Sequence, residues 1–159
     1  VDTRSLYETD TYSWAMEQAA ALRRAGASRV SNAVDWENVA EEIESLGKEQ
    51  AHAIRSYLAV IVEHLLKLEH SPAADPRRHW RREVVAFRQR LRDRIDDNPG
   101  LRPRLPEMLD RAFADARRLA AEDLTTDGVS AEALPADCPY TLDQIRDPDW
   151  FPLAPVPGK

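Results

Sequence analysis

From Trp36 to Leu68 the large apolar side chains keep one helical phase: Trp36, Val39, Ile43, Leu46, Ile54, Tyr57, Ile61, Leu65 and Leu68 recur at steps that sum to turns of about 3.6 residues. Gly47 interrupts the run, but a glycine costs only about 1 kcal/mol against alanine and does not by itself end a helix. The spacing predicts one helix from Trp36 to about Leu68, which unbroken would run about 50 Å at ~1.5 Å per residue. The alternative is a kink at Gly47. An element this long acts as a spine, and the rest of the chain has to bury its apolar face. Its start is also legible. Asp35 can accept from the free amides of the first turn, Val34 and Val39 stand at the spacing of a hydrophobic staple, and Glu37 sits where the helix dipole favours negative charge.

Three more segments show the same period. One runs from about Thr11 to Arg24, capped by Thr9 or Asp10, with Arg23, Arg24 and Gly26 as its end. After the connector "HSPAADP", a second carries Trp80, Val84, Phe87, Leu91 and Ile95 on one face, with arginines around the rest, and stops at "DDNPG". The last begins loosely between Pro99 and Pro106 and is regular from Met108 to Asp123. Beyond Gly128, "SAEALP" and "YTLDQIRDPDW" permit only short helical turns, with Thr141 as one cap. Trp150, Phe151 and Leu153 are too apolar for a free tail. No stretch alternates as a strand does. The expected fold is therefore all-α: a helical bundle of about four main helices with a long central helix and a C-terminal strap of short helical turns. It is expected as a single domain over residues 6–152, followed by a mobile tail over 153–159.

Composition narrows the setting. At 159 residues the chain is long enough for a core without metal or disulfide, and its one cysteine, Cys138, has no internal partner, which favours a reducing compartment. The longest apolar run, Tyr57 to Val62, is too short for a bilayer, and the N-terminus lacks the order of a signal peptide. A cytoplasmic protein without a membrane partner is expected. The net charge of −6 argues against broad nucleic-acid binding. The charge is also divided: residues 35–49 hold six acids against Lys48, whereas residues 77–97 hold eight arginines against four acids.

Several phrases in order, "YETDTYSWAMEQAAALRRAG", "DWENVAEEIESLGKEQ", "HLLKLEHSP", "RRHWRREV", "DNPGLRP" and "CPYTLDQIRDPDWFP", resemble the bacterial family catalogued as domain of unknown function 29 from about Leu6 to Pro152. The resemblance implies a helical bacterial domain and brings no activity or catalytic residue with it.

The residues themselves suggest three kinds of site. Glu37, Glu41 and Glu44 share a helical ridge and would contact a cationic partner, although acids at a helix start are also simply solvated. Glu49 and His52 have the Glu-x-x-His spacing of carboxylate-bridged di-iron bundles, and Glu63 and His64 could add ligands, but the second copy that such a site needs is missing. Arg78 and Arg82 head an arginine-rich helix able to grip acidic groups, with Trp80 buried among them. Cys138 lacks a recognisable activating base. No cofactor motif is present. The reading that follows is a noncatalytic protein-interaction or regulatory module acting on a protein partner or as a homo-oligomer. A metal-binding or enzymatic bundle, and nucleic-acid binding through the arginine helix, are the alternatives.

Overall fold

The computed structural model describes residues 3–28 and 31–155. It is all-α, with no strand among those residues and four long helices: α2 (Thr11–Ala27), α3 (Trp36–His70), α4 (Arg77–Asp96) and α5 (Leu105–Thr126). Two short helices accompany them, α1 (Thr3–Thr9), which the periodicity did not announce, and α6 (Leu142–Arg146); 3₁₀ turns occupy Pro99–Arg104 and Ala131–Ala133. No helix among the described residues is long and apolar enough to cross a membrane. Of the expected tail, Leu153 is 89% exposed and residues 153–155 are irregular, while residues 156–159 lie outside the described residues.

The chain divides into two compact units, and α3 contributes to both as one unbroken helix. The first unit comprises residues 1–53 and 94–103. Here Asp10 caps α2. One of its carboxylate oxygens accepts from the Ser13 amide at 3.0 Å, and the other accepts from the Ser13 hydroxyl at 2.8 Å and from the Gly100 amide at 2.7 Å. Asn98 adds an acceptor for the Tyr12 amide at 3.0 Å. The "DNPG" that closes α4 thus satisfies one donor that α2 leaves open at its start, the Tyr12 amide, while Asp10 accepts from its Gly100 amide in return. At Gly47, α2 passes so close that a Cβ would lie 2.5 Å from the Met16 methyl and 3.2 Å from the Ala15 Cβ. Gly47 therefore provides space, and no kink is needed. Gly26 does the same job against Trp36, whose Cβ would be 2.6 Å away. α2 continues past that glycine to Ala27.

The second unit comprises residues 54–93 and 104–159 and holds most of the large buried side chains. Ile54, Leu58, Ile61, Leu65 and Leu68 of α3 are fully or almost fully buried, as are Val84 and Leu91 of α4 and Leu124 of α5. Each contributes on the order of 1.5–3 kcal/mol of apolar transfer. The C-terminal segment is fastened to this core at several points. Leu134, Tyr140 and Ile145 are buried. The Tyr140 hydroxyl donates to Glu69 at 2.5 Å, Arg117 donates to the Pro135 carbonyl at 2.8 Å, and Thr141 with Gln144 closes a capping box on α6. Arg77, at the start of α4, donates to the Leu68 and Ser71 carbonyls at 2.6 and 3.2 Å, stopping the end of α3 as a basic cap.

Candidate functional site

The four residues considered as metal ligands are not brought together. Glu49 and His52 are exposed on the first half of α3, and the eleven-residue step from His52 to Glu63 carries the helix about 16 Å, beyond the reach of one ion. In the second unit, Glu63 accepts from the Lys67 ammonium at 2.8 Å, and Asp123 of α5 accepts from the same ammonium at 2.8 Å. Burial opposes the charge on Lys67, but the hydrogen bonds to Asp123 and Glu63 outweigh it and raise its pKa. The acid is thus already matched by a cation, which also lies 5.4 Å from the Trp80 ring centre. His64 is buried, and its Nδ1 donates to the Val60 carbonyl at 2.8 Å. Burial holds its pKa below the ordinary histidine value. Among the described residues no group of three potential metal ligands converges.

The acidic start of α3 finds its counter-charge nearby. Arg23 of α2 pairs with Glu37 at 3.4 Å and with Glu44 at 2.6 Å, and Lys48 pairs with Glu44 at 3.2 Å. The hydrogen bond from Arg23 holds the Glu44 carboxyl below its usual pKa, and Lys48 acts in the same sense. Glu41 remains exposed.

The arginines of α4 divide by role. Arg88 is only 3% exposed, and its guanidinium donates to the Ile145 and Gln144 carbonyls at 2.7 and 3.0 Å, holding the end of α6. Burial pushes its pKa down to about 10, and its Nη1 has no hydrogen-bond partner. Sequence reasoning placed Arg88 among the surface arginines, although the signal was available: it stands four residues after Val84 and three before Leu91, in phase with the buried stripe. Arg81 instead lies over the Phe151 ring at 3.9 Å, and Arg88 lies 4.9 Å from the same ring. Trp80 is buried, as its spacing indicated.

Arg78 and Arg82 are different. Both are exposed, and neither makes a hydrogen bond or ion pair among the described residues. With Arg81 they border a cleft of 690 Å³ whose apolar lining is Val85, Ala86 and Phe151. Val85, itself 53% exposed, was not singled out from the sequence. An open cleft of unpaired guanidiniums over apolar side chains can take a carboxylate beside a hydrophobic group. It contains no nucleophile or general base. The other chemically suggestive side chain, Cys138, donates weakly to the Tyr140 carbonyl at 3.5 Å, and burial raises its pKa, which disfavours the thiolate.

Comparison with known proteins agrees with the architecture. An alpha-helical protein of unknown function from Rhodospirillum rubrum, solved by crystallography, is similar over 91% of this chain and 90% of its own, with 30% identity and a TM-score of 0.72. No curated protein matches. The family described as Domain of unknown function DUF29 matches residues 6–151. With nearly the whole chain covered, the protein belongs to that family.

Proposed function

We propose that the chain is a noncatalytic protein-interaction module of the bacterial cytoplasm whose contact face lies on α4. The observation that carries this reading is the pair of unpaired guanidiniums, Arg78 and Arg82, beside the exposed Val85. Lys67 and Arg23 are neutralised internally; Arg78 and Arg82 are left available beside an apolar cleft. A partner segment carrying acids next to aliphatic side chains would satisfy both parts of the cleft, with the charges setting partner choice and encounter rate. The lone half-buried cysteine suits a reducing compartment. A nucleic-acid surface would be expected to offer an exposed aromatic for stacking, whereas Trp80 is buried and Phe151 lies under Arg81.

The test is a titration with a synthetic acidic amphipathic helix, using a sequence-scrambled peptide of the same charge and a single-stranded oligonucleotide as controls. Saturable binding of the amphipathic helix, lost in the R78E/R82E double variant, is the expected result. Equal binding of all three probes, or binding indifferent to the two reversals, would overturn the assignment.

A further inference from the structure

Two helix faces of this chain are charge complements of each other. On α4, Arg78, Arg82, Val85, Gln89 and Arg92 are all exposed and follow one another at steps of four, three, four and three residues. On α3, Val39, Glu42, Leu46 and Glu49 are exposed at steps of three, four and three, and Asp35 just before the helix extends the row by a further step of four. Such steps average 3.5 residues, the period at which one helix can track along another. The α4 row is basic around an apolar residue; the α3 row is acidic around two, Val39 at 40% exposure and Leu46 at 43%. Of the charges on these rows, Asp35 accepts from the Asn38 amide and side chain at the start of α3, and the others are idle among the described residues. Glu42, Glu49, Arg78, Arg82 and Arg92 make no hydrogen bond or ion pair among the described residues. Their neighbours Glu37 and Glu44, which lie off the row, are taken by Arg23.

We infer that the acidic row of α3 in a second copy of this chain is the partner that docks on the basic row of α4. The inference rests on the reading of α4 as a protein-contact face and names what occupies it. The second copy is favoured because it supplies, in one rigid helix, both halves of what the cleft requires. Acids reach Arg78 and Arg82, and Val39 and Leu46 meet the apolar ground around Val85. Leu153, next but one to Phe151 in sequence and almost fully exposed, adds apolar surface at the end of the strap. Each copy carries both rows, so the contact is heterologous: the acidic row of one copy meets the basic row of another. The contacts are exposed and ionic, so association weakens as salt rises.

Sedimentation of the full chain, with and without charge reversals, tests this. The wild type is expected to self-associate with a dissociation constant below ~1 mM, and both E42K/E49K and R78E/R82E are expected to sediment as monomers with unchanged helical circular dichroism. Mixing the two variants must restore association, because the reversed α4 row is then absent from one partner and the reversed α3 row from the other. A monomeric wild type, or association that survives either reversal, or a mixture that stays monomeric, overturns the inference. The acidic-helix titration separates the two claims: a monomeric wild type that still binds the probe through Arg78 and Arg82 removes the second copy and leaves the contact face.

Discussion

Arginine has several distinct jobs in this chain, and the difference between them is one of desolvation. Arg88 has given up water for two carbonyls of the C-terminal segment, so its removal leaves those acceptors buried and opens a gap along its stem. Arg88→Ala is expected to cost about 3 kcal/mol in denaturant unfolding. Arg78→Ala, losing only a solvated charge, is expected to stay within about 0.5 kcal/mol of wild type. Equal effects would contradict the assigned roles. His64 gives a second test at this scale. Its folded-state pKa is depressed by burial, so the fold prefers the neutral ring. That contribution is complete above the unfolded value of about 6.5 and is lost as pH falls through and below it. The ion pair of Glu44, whose pKa is depressed by Arg23 and Lys48, gives way only at lower pH, below the ordinary carboxylate value. Stability measured from pH 7 down to about 5 should therefore fall in the wild type and flatten in His64→Gln. An unchanged slope would show that another group titrates there.

At the scale of elements, Gly47 decides how close α2 comes to α3. Gly47→Ala gains about 1 kcal/mol of helix propensity, but its Cβ must displace the end of Met16 and press on the Ala15 Cβ at 3.2 Å, so thermal unfolding should move by no more than about that amount in either direction. Gly47→Leu must also push against Ala15 and the Tyr12 carbonyl, and about 2–3 kcal/mol of destabilisation is expected. A stabilising leucine would mean that the two helices are not held at this distance. The sequence carried α3 well because so long an amphipathic run keeps one phase across Gly47, which left a kink there as the alternative. It also carried the Thr141 cap and narrowed the cap of α2 to Thr9 or Asp10, of which the structure uses Asp10; both are local chemistry. It was silent on α1, which buries no residue and so leaves no periodic trace. The reason for Gly26 and Gly47 was hidden for another cause: a close approach belongs to the partner helix as much as to the glycine. The counter-charge to Glu37 and Glu44 was hidden in the same way, because it is Arg23 on the neighbouring helix, whose sequence position marks only a helix end.

For the whole molecule, the two units are unequal in what they bury. In the first, the buried apolar side chains among the described residues are Ala15, Ala19, Ala40, Ile95 and Leu101, three of them alanines. That is too little apolar burial to hold some 60 residues folded alone. We expect one cooperative transition, with the helix circular dichroism and the fluorescence of Trp14 and Trp36 in the first unit and of Trp80 and Trp150 in the second giving the same midpoint. Single-tryptophan variants would resolve the two signals. An earlier transition for Trp14 and Trp36 would show that the first unit opens independently. The proposed contact face, by contrast, was only half legible: Arg78 and Arg82 could be named from sequence, but their lack of partners among the described residues could not, because pairing is settled by folding.

The bond from Arg88 to the Ile145 carbonyl spans 57 residues. During synthesis at ~5–20 residues per second, Arg88 therefore emerges about 3–11 s before the chain that will cover it exists. For that interval α4 carries an additional solvated guanidinium, and Ile145 and Tyr140 are not yet there to shield the surface they occupy in the finished protein. The nascent molecule is thus more basic and more adhesive along this helix than the mature one, and the arrival of the strap ends that period.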